Sequence, residues 1–277
     1  MNHTPLENKD TAFVTCWYRS TDEELSGDPY ARHWVTPEAK RWADLFLEVS
    51  EHEPQTHCLR NRFFLDRIAR FTSDNPNGTL VNIGAGYSLY PYLLPEGPRF
   101  CDVDMEQVLA AKSKDLANWE ADGMVPPRSI HYLPAELESA SGRARLEEQL
   151  SEWMADAPSF FLIEGVLFFL SESTIRAVFE MFFRLQKPGD QLGTVSFLPE
   201  IRETLIYQRL QQMMKKRFHR LDTQKNELPT RFYEELQGYR LLTHSDYCTF
   251  SQQIIPERAF TNPEAILNEH LYLLERT

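Results

Sequence analysis

The sequence predicts an α/β fold built on a doubly wound, mostly parallel β-sheet. Three observations carry this expectation. Short apolar runs alternate with helical stretches from residue 80 to 198, the first run ends in Gly84-Ala85-Gly86, and the second ends in acids. Strand and helix in alternation call for parallel strands joined by crossover helices. Ligands bind outside the carboxyl ends of such strands, which is where the glycines and acids fall.

Taken in order, the spacing of Trp42, Leu45, Phe46 and Val49, then of Leu59, Phe63, Ile68 and Phe71, predicts two helices between Thr36 and Phe71, broken near Pro54. The segment before Thr36 reads as looser. Leu80 to Ile83 is a short buried strand and Arg99 to Val103 a second. Between them Tyr87 to Leu94 is expected to be part helix, interrupted at Pro91 or Pro95. Asp104 to Trp119 reads as a helix with Val108, Leu109 and Ala111 on one side, and Ser129 to Leu133 as a third strand. Leu146 to Met154 is helical, and Ser159 to Ile163 is a strand apolar enough to be buried on both faces. Ser171 opens a helix through Leu185, Lys187-Pro188-Gly189 stops it, and Gln191 to Leu198 returns as a strand.

Beyond this alternation Glu200 to Arg220 is expected as one long helix and Thr230 to Gln237 as a shorter one. Tyr239 to Cys248 and Ala265 to Leu274 are expected strands. No internal repeat or low-complexity tract appears. The predicted organisation of the single domain is a helical cap over 1–71, a ligand-binding core over 80–198, an inserted helical lid over 199–237, and closing strands over 238–277.

Composition narrows the function classes. The formal net charge of -12 repels phosphates and argues against a nucleic-acid partner. One basic cluster, Lys215-Lys216-Arg217-Phe218-His219-Arg220, reads as a solvated helix end. Cys16, Cys58, Cys101 and Cys248 are scattered with no CxxC, which favours a reducing compartment over a disulfide framework or zinc knuckle. MNHTPLENKD has neither the basic nor the apolar region of a signal peptide. The longest apolar run, Phe160 to Leu170, is too short to span a bilayer and contains Glu164. A cytoplasmic protein with no membrane partner is therefore expected. In Glu51-His52-Glu53-Pro54-Gln55-Thr56-His57-Cys58 the histidines are five apart with Pro54 between them, so the segment reads as an interhelical loop, and no metal is expected.

The glycine turn carries the functional signal. Glycine lets backbone approach a ligand, and Asp102 or Asp104 at the end of the next strand is placed to accept ribose hydroxyls. A dinucleotide fingerprint needs a third glycine where this chain has Leu89, and no Lys-Ser or Lys-Thr follows to make a phosphate loop. A nucleoside without phosphates, bound beside a glycine turn in a doubly wound fold, points to S-adenosylmethionine. Glu164 ends the buried strand Phe160–Ile163 and needs a partner, either a cofactor cation or a local Arg. Arg60 and Arg62 precede the glycine strand, and either one is suited to a bidentate pair with a cofactor carboxylate.

Over roughly residues 11 to 190 the chain resembles the leucine carboxyl methyltransferase family, including its bacterial branch of polyketide-type O-methyltransferases. The matching pieces are TAFVTCWYRSTDEELSGDPYARHWV, RNRFFLD, LVNIGAGYSLYPYLL, FCDVDMEQVLAAK, YLPAELES and IEGVLFFLSESTIRAVF, in family order and spacing. The resemblance implies the class I S-adenosylmethionine fold, a Rossmann-like seven-stranded sheet whose last strand is antiparallel. It also implies that Arg60 holds the cofactor carboxylate, Gly84 and Gly86 face its methionine part, Asp104 or Asp102 binds ribose, Glu136-Leu137 lies near adenine and Glu164 contacts the amino group. The chain departs from the family in carrying Ser88-Leu89-Tyr90 where a variant of Asp-Thr-Arg is usual, Phe169 where Tyr is common, and Glu136 where the acid is often Asp.

Methyl transfer from a sulfonium needs alignment and exclusion of water more than acid–base help. None of the eight histidines sits in a motif that marks a general base, so a carboxylate or acidic hydroxyl of a small molecule is the expected acceptor. The alternatives are a protein C-terminal carboxyl methyltransferase and a degenerate cofactor-binding protein. Trp17, Tyr18, Trp34, Tyr207 and Met213 are the candidate acceptor lining, each also suited to a core.

Overall fold

The computed structural model describes residues 8–218 and 227–277. It opens with helices: α1 (Asn8–Ser20), the short α2 (Glu23–Ser26), a 3-10 turn at Ala31–Trp34, α3 (Pro37–Leu47) and α4 (Glu53–Asp74). The segment before Thr36, expected to be loose, is therefore largely helical. Its periodicity is blurred because α1 buries two faces: Val14 and Tyr18 pack with Ala43, while Cys16 joins Trp34 and Tyr87. Thr36 caps α3 by accepting the Ala39 N–H. Pro54 starts α4 instead of breaking a helix, since a first-turn N–H has no helical partner to lose. His57 and Cys58, expected in a loop, consequently lie on α4.

The alternating core follows as β1 (Thr79–Ile83), α5 (Tyr90–Leu93), β2 (Arg99–Asp104), α6 (Glu106–Ala121), β3 (Ile130–Pro134), α7 (Ala140–Met154), β4 (Ser159–Ile163), α8 (Glu172–Leu185) and β5 (Gln191–Ser196). Pro91 opens α5 where an interruption was expected. Asp104 closes β2 and leaves the next helix to begin at Glu106. Ser171 caps α8 as expected, accepting from the Thr174 N–H.

Along the strands, alternate residues point to opposite faces. Val81, Ile83, Val103, Phe161 and Ile163 pack against α7 and α8 on one side. Leu80, Phe100, Phe160 and Leu162 pack against Leu59, Phe63, Phe64 and Ile68 of α4 on the other. Burial on both faces explains the continuous apolar runs of β1 and β4.

After β5 come a 3-10 turn at Pro199–Glu203, α9 (Leu205–Phe218), α10 (Thr230–Glu234), β6 (Tyr239–Asp246), α11 (Tyr247–Ile254) and β7 (His270–Arg276). The single helix expected from Glu200 is thus split at Thr204, and α11 interrupts what reads as a strand to Cys248. The stop is chemical: the Asp246 side chain accepts the Thr249 N–H and caps α11. The last strand starts at His270, five residues later than expected. Lys215 and Lys216 are exposed near the end of α9, while His219 and Arg220 lie outside the described residues.

The seven strands lie in the order β3-β2-β1-β4-β5-β7-β6. β1 to β5 pair in parallel, and β7 runs antiparallel to both β5 and β6. The strand order reverses between β1 and β4, and their carboxyl ends face the segments carrying Gly84 and Glu164. Near the end of β5, Phe197 packs with Trp42 and Phe46 of α3 and with Ile206, Tyr207 and Met213 of α9. Among the described residues no helix is long and apolar enough to cross a membrane.

Candidate active site

The segments after β1, β2, β3 and β4, with α1 and α4, enclose a cavity of ≈ 400 Å3. Gly84 and Gly86 put the β1 turn in the left-handed region at φ 67° and 45°. A Cβ on Gly84 would stand 2.1 Å from Val166 Cγ2. Glycine there accommodates the β4 segment as well as a ligand, a packing role the motif alone does not reveal. The Gly86 N–H donates to Asp104 Oδ2 and the Met105 N–H to Oδ1, both at 2.7 Å. Each oxygen keeps acceptor capacity for a ligand hydroxyl. Burial raises the Asp104 pKa, opposed by these two N–H groups and by Lys112.

Asp102 lies one strand step deeper, 1 % exposed, and pairs with Lys112 Nζ at 2.8 Å. It is not part of the cavity wall, whereas Asp104 is. Glu136 and Leu137, following β3, line the same cavity beside Asp104 and Met105.

Arg60, on α4, and Glu164, at the end of β4, meet at the opposite side. Arg60 Nε donates to Glu164 Oε1 at 2.7 Å, and Nη1 donates to Glu269 Oε1 and Oε2 at 3.1 and 2.9 Å. Glu164 therefore has the local Arg partner that the sequence held as an alternative to a cofactor cation. Arg60 Nη2 has no hydrogen-bond partner among the described residues, and it lies 3.7 Å from where a Cβ on Gly165 would be. Arg62 instead pairs with Asp66 one turn along α4, at 2.8 Å.

The departure at residues 88–90 has its own chemistry. Tyr90 Oη donates to Glu164 Oε2 at 2.7 Å, and burial together with that carboxylate holds the phenol well above its ordinary pKa. Ser88 Oγ accepts from Asn82 Nδ2 and donates to the Ala85 carbonyl, so neutral hydrogen bonds fix the loop. Tyr90 is a partner that the sequence reading missed; its signal was its place in the departing triplet. Arg19 also went unseen. It lines the cavity, pairs with Asp28 at 3.0 Å and donates to the Tyr87 carbonyl at 3.3 Å, tying α1 to the glycine turn. None of Trp17, Tyr18, Trp34, Tyr207 and Met213 lines the cavity: their rings and side chains are spent on the packing of α1, α3 and α9. Phe169 and Leu170 line it instead.

These residues suit a ligand with vicinal hydroxyls at one end and an amino-acid group at the other. Asp104 offers acceptors to the hydroxyls, the left-handed glycine turn keeps side chains out of the middle, and the open Nη2 of Arg60 matches a carboxylate. S-adenosylmethionine has that form.

Residues 11–183 match the family model described as leucine carboxyl methyltransferase. A Mycobacteroides abscessus protein, provisionally named an S-adenosyl-L-methionine-dependent methyltransferase, is 26% identical over 178 residues, covering 60% of this chain and 57% of that protein. The match thus spans little more than half of that curated relative. A provisionally named methyltransferase from Thermobifida fusca superposes with a TM-score of 0.62 at 16% identity, over 96% of this chain and 94% of that one. A DUF574 family protein from Streptomyces avermitilis gives 0.64 at 12% identity, over 96% and 97%. Both likenesses concern the fold, an α/β arrangement with the seven-stranded sheet of class I methyltransferases. With the family model covering most of its length, the chain belongs to the leucine carboxyl methyltransferase family, a family of S-adenosylmethionine-dependent enzymes.

Proposed function

We propose that this chain is an S-adenosylmethionine-dependent O-methyltransferase acting on a carboxylate or acidic hydroxyl of a small molecule, in secondary metabolism as in the bacterial branch it resembles. The observation that carries the reading is the convergence of Asp104, the Gly84–Gly86 turn, Arg60 and Glu164 on one cavity. The cofactor supplies a methyl group already activated on a sulfonium. Asp104 accepts ribose hydroxyls, Glu136 and Leu137 flank adenine, Arg60 Nη2 meets the carboxylate and Glu164 the amino group. Alignment of an acceptor oxygen in line with the methyl, in a site closed to water, is the remaining requirement.

The acceptor class follows from what surrounds the cavity. No described His or Lys lines it. Three of its carboxylates are already engaged: Glu164 by Arg60 and Tyr90, Asp104 by backbone N–H groups, and Glu138 by Ser171 and Thr174. An acceptor that arrives ionised needs no base. We read α9 and the helices preceding β1 as the lid and cap over this edge. All four cysteines are unpaired, which supports a reducing compartment such as the cytoplasm.

Incubation with methyl-labelled S-adenosylmethionine and fractionated cell extract tests this function. Label is expected in the small-molecule fraction, released by mild alkali if the product is a methyl ester and retained if it is an aryl ether. Label confined to protein would replace this reading with protein carboxyl methylation, and no transfer into any fraction would refute the enzyme assignment.

A further inference from the structure

We propose that Glu269 is a positioning residue that aims Arg60 at the carboxylate of the bound cofactor; this rests on the cofactor reading above. Glu269 immediately precedes β7, 209 residues along the chain from Arg60, and lies beyond the span matched by the family model. It is 7 % exposed, as is Arg60. Both of its oxygens accept from Arg60 Nη1, and Oε2 also accepts from the Tyr247 hydroxyl.

A guanidinium has five N–H donors in a rigid plane. Glu164 takes the Nε donor and Glu269 takes Nη1, so two carboxylates hold the plane. What remains is Nη2, without a protein partner among the described residues and directed toward Gly165 on the cavity wall. With Glu164 alone, the guanidinium would pivot about a single hydrogen bond. The second contact fixes the plane and leaves Nη2 as an oriented, charged donor for a carboxylate oxygen.

The charge balance agrees with a zwitterionic, cationic ligand. One guanidinium between two carboxylates leaves a net negative cluster with little access to water, a costly arrangement that a ligand ammonium and sulfonium offset. Tyr247 donates to Glu269 as Tyr90 donates to Glu164, so each acid has one neutral donor fixing its free side. Sequence reading passes over Glu269 because a lone acid inside the expected strand Ala265 to Leu274 belongs to no motif.

The test compares two nucleosides by equilibrium dialysis: S-adenosylhomocysteine, which carries the amino-acid group, and 5′-methylthioadenosine, which lacks it. Wild type is expected to bind the first more tightly. Glu269→Gln keeps the shape but removes the charge and one acceptor, and should weaken S-adenosylhomocysteine about tenfold or more while leaving methylthioadenosine within about twofold. Tyr247→Phe, a milder change, should act in the same direction and serves if Glu269→Gln does not fold. Equal weakening of both nucleosides, or of neither, would overturn the positioning role. Wild type that binds neither nucleoside would overturn the cofactor reading itself.

Discussion

Gly84 and Gly86 look equivalent in the sequence and are not equivalent in the fold. Both adopt positive φ, but a Cβ on Gly84 would collide with Val166, whereas one on Gly86 would meet Ala12 Cβ at 3.4 Å. Gly84→Ala should therefore lower stability by about 2 kcal/mol or more, and Gly86→Ala by about 1 kcal/mol, the strain of a left-handed alanine alone. Chemical denaturation of the two variants tests that ranking. The same scale shows what was legible. Gly84, Gly86, Asp104 and Glu164 were marked by their places in the sequence pattern, Arg60, Glu136 and Leu137 were singled out by family resemblance, and all line the cavity. Tyr90, Arg19 and Glu269 were not, because their roles depend on partners 68 to 209 residues away that no spacing rule encodes.

Glu53 is another residue whose character comes from the fold. Burial raises its carboxyl to about 8, reinforced by nearby Glu269 and opposed by Arg60. Its neighbour His57 is held neutral, well below its usual range, by burial and by Arg60. A raised carboxyl binds its proton more readily in the folded state than in the unfolded one. Its contribution to stability is therefore complete below the ordinary value of 4.5 and is lost as pH rises through about 8. His57 has the opposite sign and acts below 6.5, so the two overlap between 4.5 and 6.5 and Glu53 acts without it above that. Glu53→Gln should flatten the fall in melting temperature between about pH 6.5 and 8, where Glu53 acts without His57. An unchanged slope in thermal scans across that range would show that Glu53 is ionised in the native protein.

Among the elements, α8 shows how a local signal becomes structure. Ser171 accepts the Thr174 N–H, and Glu138, from the segment after β3, accepts from the Ser171 N–H and from both hydroxyls. Ser171→Ala removes the cap and one tie to Glu138, and should cost about 1 kcal/mol, or about 2–4 °C in melting temperature by calorimetry. This helix was readable from its cap, its apolar stripe and its Pro-Gly stop. α11 was not. Tyr247 and Phe250 are apolar residues that continue the look of β6, and only the Asp246 cap, visible as an acid three residues before Thr249, distinguishes helix from strand. Pro54 and Pro91 misled in the opposite direction, since a proline in the first helical turn resembles a helix break when only spacing is read.

For the whole molecule, strand and helix alternation from residue 80 to 198 was sufficient to predict the parallel half of the sheet, because crossover connections are local. The antiparallel end was not legible from alternation and came from family resemblance. β5 pairs with β7 across the whole insertion that contains α9 to α11, and no local pattern sets that register. That long return is also what delivers Glu269 and Tyr247 behind Arg60. The fold thus places one wall of the nucleoside site with its first half and braces it with its last strand.

In the function proposed above, the cavity at the carboxyl edge of β1 and β4 is an S-adenosylmethionine site. Isothermal titration of S-adenosylhomocysteine into wild type and Asp104→Ala tests it most directly. Saturable one-to-one binding to wild type is expected, weakened at least about tenfold when the buried acceptor of the ribose hydroxyls is removed. Absence of binding to folded wild type, or binding unchanged in Asp104→Ala, would contradict it.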